Sequence, residues 1–424
     1  GNLLRTEDNN IYTGTILEHL LIQQLTAFYE VGGHNIYRLR GADWNDALDM
    51  ASEHGESVAF TFAYTGNLRE LASMIRLLES RSPVKETKLT EELRILLNDD
   101  PELFENTADK INLLASYTQS CRHRVSGRRV SVPLSELAEN LEHKADWLTG
   151  YLKDHEWIDG GADEGWFNSY YDNHGRAVEG FFPNEVRMIL TGQVFAIMGN
   201  VASEQQIRKI VNSADHYLYQ KEIGGYRLNT DFHELKFDMG RMFGFAYGEK
   251  ENGAVFSHMT VMYANALYRR GFAKEGWKAL KTLAETALDF DTSRIYPGIP
   301  EYFRSDGRGM YHYLTGAASW FMMTMITQVF GVRGEAGDLI LAPRLMAEQF
   351  DDQGKASVSL VFAGKKLDVI YENPDRKDSG AYKVSSSFCE GQKLQTDKLG
   401  RAVLPRRMLD TLSGGRHRII VKLN

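Results

Sequence analysis

The chain has 424 residues, of which 43% are hydrophobic and 25% are charged, a composition typical of soluble globular proteins. Single domains usually hold about 100–200 residues, so this length predicts two domains. The formal net charge of −8 argues against nucleic acid or an anionic membrane as a partner, because phosphate-rich surfaces are bound by basic ones. The sequence shows no apolar run long enough to span a membrane and no signal peptide. Cys121 and Cys389 are the only cysteines. They predict reduced thiols and a cytoplasmic location, although a disulfide stays open.

Helical periodicity dominates the first two-thirds of the chain. Residues 11–30 carry a helical apolar face made of Ile16, Leu17, Leu20, Leu21, Leu25 and Phe28. Ser203 and Gln206 have the spacing of a capping box, and the apolar face that follows predicts a helix through Leu218. Residues 316–330 are apolar nearly all round and end at Gly331, which predicts a buried helix with a glycine stop.

Long loops and one polar segment interrupt these helices. Loops 159–180 and 224–258 are rich in Gly, Asp, Asn and aromatic residues, and long loops in a helical domain usually build a site. Residues 80–132 are polar and charged, with arginines clustered around Gly127. They predict a solvated insertion with a hairpin-like tip, and a role in binding phosphate or an acidic substrate is the alternative.

The sequence pattern changes at about residue 335. Short β-type runs at 357–362, 367–371 and 418–423 are separated by Gly-Lys, Asn-Pro and Gly-Gly turns. We therefore expect a catalytic helical portion at 1–334, with the polar insertion at about 80–132, and a small β domain at 335–424. Many amphipathic helices joined by long loops suit an α/α toroid.

The densest chemical signal is Gly41-Ala-Asp-Trp-Asn-Asp46, followed by Gly55-Glu-Ser-Val58. Asp43, Trp44, Asn45 and Asp46 place two carboxylates, an amide and an aromatic plane within four residues, a mixture that suits sugar binding. A carboxylic acid that protonates a glycosidic oxygen needs a raised pKa, which desolvation by a neighbour such as Trp44 provides. The structural alternative is a loop in which Asp43 caps the next helix and Trp44 fills the core.

Two further clusters also have both a chemical and a structural interpretation. Glu249-Lys-Glu-Asn-Gly-Ala-Val-Phe-Ser-His258 is either a binding loop or a polar turn that leads into a helix, with His258 as a structural partner. Tyr313-Leu-Thr-Gly-Ala-Ala-Ser-Trp320 places Thr315 at the N-cap of the apolar helix. The first-turn amides and the helix dipole favour an anion there, and simple capping is the alternative.

Together these clusters resemble the glycoside hydrolase family 94 phosphorylases, the group that contains cellobiose, chitobiose and β-oligoglucan phosphorylases. The matching motifs follow the same order along the chain: Asp-Trp-Asn-Asp at 43–46, Gly-Glu-Ser-Val at 55–58, Glu-Asn-Gly-Ala-Val-Phe-Ser-His at 251–258, and Leu-Thr-Gly-Ala-Ala-Ser-Trp at 314–320. The resemblance covers the C-terminal catalytic portion of that family.

The resemblance implies a mainly α fold, the C-terminal part of an (α/α)6 toroid, with a small C-terminal β domain. It implies that Asp46 is the general acid and that Asp43, Trp44 and Glu251 bind the sugar. His258, Thr315 and Gly316 would bind inorganic phosphate. The implied reaction is inverting phosphorolysis of β-linked gluco-oligosaccharides, giving α-glucose 1-phosphate and a shortened glucan. Phosphate is a co-substrate and no cofactor is expected. No metal is expected either, because His and Cys lack ligand spacing.

Two departures from the family pattern affect the expected partners. Family members begin with a large β-sandwich, a linker and the first barrel helices, whereas this sequence begins shortly before the Asp-Trp-Asn-Asp motif and without Met. We expect a fragment or one of two subunits, with the missing N-terminal half as partner, and a homo-oligomer stays open. The insertion at 80–132 is the second departure, and it favours the long oligoglucan phosphorylases over the disaccharide enzymes.

Two other functions stay open. An inverting glycoside hydrolase on the same fold would need a second carboxylate as base, for which Glu164, Asp163 and Glu301 are candidates. A non-catalytic carbohydrate-binding or assembly fragment would need no acid at all. A phosphorylase is distinguished by one acid plus an anion pocket, because phosphate itself is the nucleophile.

Overall fold

The computed structural model describes residues 3–40, 48–296, 298–312 and 316–424. The chain forms two compact units. The first holds the chain up to Tyr219 together with Arg227–Ala254, and the second holds Gln220–Tyr226 and Val255–Asn424. The domain boundary expected at residues 334 and 335 falls within the second unit, where helices give way to sheets.

The α-helices are, in chain order, α1 (Ile16–Tyr29), α2 (Val58–Arg81), α3 (Pro101–Glu105), α4 (Thr107–Ser120), α5 (Leu134–His155), α6 (Leu190–Met198), α7 (Glu204–Tyr217), α8 (Ser257–Arg269), α9 (Ala273–Leu288), α10 (Phe290–Ser293), α11 (Gly316–Thr324) and α12 (Arg406–Thr411). Within the described part of the chain, no helix is long and apolar enough to cross a membrane.

The strands are, in chain order, β1 (Glu56–Ser57), β2 (Glu86–Thr90), β3 (Arg129–Pro133), β4 (Trp157–Asp159), β5 (Gly165–Phe167), β6 (Tyr170–Tyr171), β7 (Gly180–Phe182), β8 (Glu185–Arg187), β9 (Tyr219–Gln220), β10 (Gly225–Tyr226), β11 (Val255–Phe256), β12 (Tyr302–Phe303), β13 (Gly309–Met310), β14 (Val332–Glu335), β15 (Asp338–Leu341), β16 (Lys355–Phe362), β17 (Lys365–Glu372), β18 (Val384–Cys389), β19 (Gln392–Lys393), β20 (Gln395–Thr396), β21 (Ala402–Leu404) and β22 (Arg416–Leu423).

The first unit is organised around α2, which packs along α5 and against α6. Both long helices bury apolar faces, from Leu68 to Ile75 on α2 and from Leu137 to Leu148 on α5. Arg76 and Glu142 add an ion pair of 2.6 Å between them, but partly exposed pairs contribute only about 0–1 kcal/mol. Apolar burial, worth about 25 cal/mol per Å², therefore holds this layer together.

The structure confirms the helix expected within residues 11–30 and the helix start expected at Ser203. Helix α1 begins at a capping box in which Thr15 accepts from the Glu18 amide, and its apolar face buries Leu21 and Leu25 completely. Helix α7 begins at the capping box of Ser203 and Gln206, with distances of 3.2 and 3.0 Å. These signals are local, which is why the sequence is sufficient to locate them.

The hairpin-like tip expected in the insertion at 80–132 is wrong, although most of its residues are exposed or half-buried as expected. Strands β2 and β3 pair in antiparallel register, but they enclose helices α3 and α4 rather than a hairpin tip. The segment buries a set of large side chains: Leu89, Leu93, Leu96, Phe104, Tyr117 and Val125. Its apolar residues are too widely spaced among charged ones to stand out in the sequence, yet the fold buries them.

The second unit joins helices to three-, four- and five-stranded β-sheets, of which the two larger ones lie toward the C-terminus. Helix α8 packs against α9 and α11. One sheet has the strand order β14-β15-β21-β20, and the other has the order β16-β17-β22-β18-β19. In the larger sheet β17 and β22 are parallel. Strand β16 pairs with β17, and β18 pairs with β22, both in antiparallel register. The three β-type runs of the tail are thus confirmed as strands, and both cysteines are free thiols.

The 316–330 segment is helical as expected, but it is not buried. Helix α11 continues into a π-helical stretch at Met325–Val329, and Met322 and Met323 are 61% and 40% exposed. Gly331 ends it with φ of +65°, and a Cβ at that position would lie 1.9 Å from the Ala342 carbonyl oxygen. The glycine stop is therefore confirmed, because no other residue fits there.

Candidate active site

The proposed acid and two sugar ligands, Asp46, Asp43 and Trp44, lie outside the described residues. The structure does describe both flanks of their loop. The Leu39 amide donates to the Gly55 carbonyl over 2.8 Å, and the Ser57 amide donates to the Tyr37 carbonyl over 2.7 Å. The Arg38 guanidinium donates to the carbonyl of Glu53 over 2.8 Å. These bonds bring residues 37–39 beside residues 53–57.

The segment that follows the loop is held by a second group of side chains. The Asn173 side-chain oxygen accepts from the amides of Glu53 and His54, each over 3.0 Å. The neighbouring Asp172 is buried and pairs with Lys236 at 3.0 Å and Arg176 at 2.9 Å. Burial acts to raise the pKa of Asp172, but hydrogen bonds from the Arg176 amide and from these cations outweigh it and hold that pKa well below its usual range. The Asp172 carboxylate is therefore ionised, and its ion pairs hold the backbone next to Asn173 in place.

The Gly55-Glu-Ser-Val58 motif has a structural role in this arrangement. Ser57 caps α2 by accepting from the Phe60 amide. Glu56 is 1% exposed and accepts from the amides of His34 and Ile36 over 3.0 and 3.2 Å. Burial raises the pKa of Glu56, although the His34 hydrogen bond opposes this shift. The motif thus fixes the entry to α2 and a preceding turn at 32–36.

The 251–258 motif divides into a turn, a strand and a helix start. Glu251 is half-buried in the first unit. Next to it, Asn252 donates to the Phe245 carbonyl over 2.8 Å, and the Gly253 amide donates to the Asn229 side chain over 2.8 Å. A Cβ on Gly253 would lie 2.1 Å from the Tyr247 ring, and φ there is +76°. The polar-turn interpretation is therefore confirmed for Asn252 and Gly253, and they fix the backbone that presents Glu251.

In the second unit, the structure brings together His258 and Gly316, two of the three expected phosphate ligands. His258 lies in the first turn of α8 and Gly316 is the first residue of α11. A Cβ built on Gly316 would lie 2.6 Å from Cε1 of the His258 ring, so the imidazole rests directly on the glycine backbone. Thr315 lies outside the described residues.

The surroundings of His258 are aromatic. Its ring centroid lies 6.0 Å from that of Trp320 and 5.9 Å from that of Phe256. Burial lowers the pKa of His258, so the imidazole is neutral at neutral pH and offers one N–H donor. The His258 ring thus lies next to the N-terminus of α11, and a helix N-terminus favours an anion.

The candidate bases for hydrolysis differ in their environment. Glu164 accepts from His216 over 2.7 Å and from the Tyr217 hydroxyl over 2.8 Å. Burial acts to raise the pKa of Glu164, but these two hydrogen bonds outweigh it and lower it, which makes the carboxylate a weaker base. The Glu301 carbonyl accepts from the Ser257 amide over 2.9 Å, next to His258. Asp163 lies in the exposed turn between β4 and β5.

Two buried carboxylates in the first unit were not identified from the sequence. Glu179 accepts from the amides of Ser169 and Ile189 over 2.5 and 2.6 Å, and burial raises its pKa to about 8. Burial also raises the pKa of Glu156, which accepts from Tyr171 over 2.9 Å. The sequence marked loop 159–180 as site-building, but it gave no sign of which carboxylates would be buried.

Comparison with known proteins identifies the family. Residues 3–97 and 132–331 match the model of the Glycosyl hydrolase 94 superfamily, catalytic domain. The chain belongs to this family, and the resemblance drawn from its four motifs is confirmed.

Three curated relatives show how far the similarity extends. Cellobionic acid phosphorylase of Neurospora crassa is 25% identical over 225 residues, which cover 50% of this chain and 27% of that protein. A 3-O-beta-D-glucopyranosyl-beta-D-glucuronide phosphorylase of Paenibacillus borealis is 23% identical over 232 residues, 53% of this chain and 29% of that protein. Solabiose phosphorylase of the same organism is 20% identical over 382 residues, 88% of this chain and 42% of that protein. The chain thus spans less than half the length of each of these relatives.

Proposed function

We propose that the protein is an inverting phosphorylase that cleaves β-linked gluco-oligosaccharides and is built on an (α/α)6 toroid. The observation that carries this proposal is the contact of the His258 ring with Gly316, where α8 and α11 both begin. A hydrolase has no need of an anion pocket of this kind. The three relatives described above are all named phosphorylases, which supports the same reaction class.

In the proposed reaction Asp46 protonates the glycosidic oxygen while phosphate attacks the anomeric carbon from the opposite face. The bond from that carbon to the leaving oxygen breaks, and a bond to a phosphate oxygen forms with inversion. The products are α-glucose 1-phosphate and a glucan shortened by one unit. Asp43, Trp44 and Glu251 hold the sugar, so that only one catalytic carboxylate is needed.

The phosphate ligands act through position and charge. In this proposal the His258 N–H, the Thr315 hydroxyl and the amide of Gly316 bind the anion, which the positive end of a helix dipole also favours. Gly316 has no side chain, which leaves room for the His258 ring directly against its backbone. A bound anion favours the protonated imidazole, so it offsets the burial that lowers the pKa of His258.

One assay separates this proposal from its alternatives. The complete protein is incubated with β-1,2-, β-1,3- and β-1,4-linked gluco-oligosaccharides, with and without inorganic phosphate, and both α-glucose 1-phosphate and free glucose are measured. Phosphate-dependent release of α-glucose 1-phosphate is expected. Release of glucose without phosphate would establish the hydrolase instead, and oligosaccharide binding without either product would establish the non-catalytic alternative.

A further inference from the structure

Residues 98–131 lie outside the two stretches that match the family model, yet they make buried polar contacts with the neighbourhood of the loop at 41–47. We propose that this segment braces residues 32–40 and 48–57, which flank the motif at 43–46, with Lys110 as a positioning residue that acts through Asn35 and the turn at 32–36. The proposal rests on the proposed function only in so far as the loop carries the catalytic acid.

The first step of the brace is a buried lysine. Lys110 on α4 is 0% exposed, and its Nζ atom donates to the Asn35 side-chain oxygen over 2.8 Å. The ammonium group also lies 4.2 Å from the ring centroid of Phe28 and 4.7 Å from that of Trp147. A buried polar or charged group is costly unless it is hydrogen-bonded. The bond to Asn35 is therefore strongly favoured over an open arrangement.

The second step is the turn at 32–36, which the segment holds at two points. Asn35 donates through its side-chain nitrogen to the carbonyl of Phe104 over 2.9 Å, and Phe104 belongs to α3 of the same segment. Asn35 itself has φ of +59°, a conformation that asparagine tolerates better than most residues. Both polar ends of one side chain are thus tied to residues 98–131.

The third step links the turn at 32–36 to Glu56 and its neighbours, which follow the motif at 43–46. Glu56 accepts from the His34 amide, from the His34 ring nitrogen over 2.6 Å, and from the Ile36 amide. The His34 ring stacks on Tyr171 with a centroid distance of 3.7 Å. Glu56 is the first residue of β1 and directly follows Gly55, whose carbonyl accepts from Leu39 across the base of the loop. Movement of the turn at 32–36 therefore moves both flanks of the loop.

The chain offers a matched control in Lys144. This lysine on α5 is also 0% exposed and lies 5.1 Å from the Phe104 ring. Its Nζ atom donates to the Asn98 carbonyl and to the Asn140 side chain over 2.5 and 2.8 Å, which are not part of the turn at 32–36. Replacing either lysine by methionine removes a buried amine of the same size, but only one replacement cuts the proposed brace.

The test is amide hydrogen exchange on the full chain, read in peptides that cover residues 32–40 and 48–57. Lys110→Met and Asn35→Gly are expected to speed exchange there by about tenfold or more, while Lys144→Met leaves it near the wild-type rate. Glycine keeps the positive φ of residue 35, so Asn35→Gly reports the lost side-chain bonds. If Lys110→Met or Lys144→Met fails to fold, Asn35→Gly and Asn140→Ala, respectively, take their places.

Activity supplies the second readout. In an active enzyme kcat is expected to fall at least about fivefold in Lys110→Met and Asn35→Gly, with near wild-type kcat in Lys144→Met. Equal exchange in the two lysine variants overturns the brace, and so does faster exchange with an unchanged kcat. If the complete protein shows no phosphorolysis at all, the proposed function fails, and the exchange comparison still decides whether the segment holds residues 32–40 and 48–57.

Discussion

Asp46 and Asp43 are two carboxylates of one loop, and their replacement should have unequal effects. We expect Asp46→Asn to lower the rate of phosphorolysis by about 10²–10⁴-fold or more, because general acid catalysis is worth that much and a sugar hydroxyl is a poor leaving group. Asp43→Asn should cost less, since it removes sugar contacts or a helix cap. Initial rates with saturating phosphate measure both. Near wild-type rates in Asp46→Asn, or the opposite order of the two, would assign the acid elsewhere.

The substitution Gly316→Ala tests the phosphate pocket, because helix propensity favours alanine at this position whereas packing against His258 disfavours it. Alanine favours a helix over glycine by about 0.5–1 kcal/mol, but a Cβ at Gly316 would lie 2.6 Å from the His258 ring. Gly316→Ala should therefore displace the imidazole and raise the phosphate KM about tenfold, as the loss of one charge-assisted hydrogen bond does.

The matched control for this substitution is Gly150 on α5, where a Cβ would meet nothing within 4 Å. Gly150→Ala should stabilise the protein by about 0.5–1 kcal/mol and leave the phosphate KM unchanged. Initial rates against phosphate concentration and thermal melts measure both variants. If the sugar KM rises in Gly316→Ala while the phosphate KM does not, the anion pocket is misplaced.

At the scale of elements, the two buried lysines between α4 and α5 predict a pH-dependent stability. Burial lowers the pKa of both Lys110 and Lys144 to about 7. Glu105 opposes the shift at Lys110 and Asp99 opposes it at Lys144, while Lys144 adds to the shift at Lys110. The unfolded chain binds more protons than the folded one between about pH 7 and 10.5, so the free energy of unfolding should rise with pH across that range.

The measurement is urea unfolding at pH 7, 8 and 9. Each lysine contributes at most about 1.4 kcal/mol per pH unit to the slope, and each Lys→Met substitution should remove its own share. This stability is lost as the pH falls through the folded-state pKa values near 7. A slope that is identical in the wild type and the double variant would show that the amines do not titrate in the folded protein.

How far the sequence predicts each element depends on whether its signal is local. The capping box of α7 and the alternating strands β16, β17 and β22 are each specified by neighbouring residues, and they were located correctly. The exposure of Met322 on α11 and the burial of Lys110 on α4 depend on contacts with distant parts of the chain. Composition alone suggests the opposite in both cases, because methionine is usually buried and lysine is usually exposed.

At the scale of the whole molecule, the candidate site also combines features that the sequence predicts with features that only the fold reveals. The order of four short motifs was sufficient to recognise the family, and it singled out His258 and Gly316, which the fold places in contact. The motifs did not separate residues that act on a ligand from residues that hold the backbone. Glu56, Asn252 and Gly253 belong to the second group, and only their hydrogen bonds reveal it.

Phosphate binding should also be visible in the stability of the whole protein. A ligand that binds only the folded state stabilises it by about 2.7 kcal/mol at 100 times its Kd, so inorganic phosphate should raise the Tm by a few degrees in a chain of this size. We expect His258→Ala to lose most of this increment. His216→Ala should keep it, because His216 is an exposed partner of Glu164 in the first unit. Thermal melts over a range of phosphate concentrations, with sodium chloride at matched ionic strength as reference, measure the effect. An increment that survives in His258→Ala would mean that phosphate binds elsewhere, and the acid at Asp46 would then need a different nucleophile.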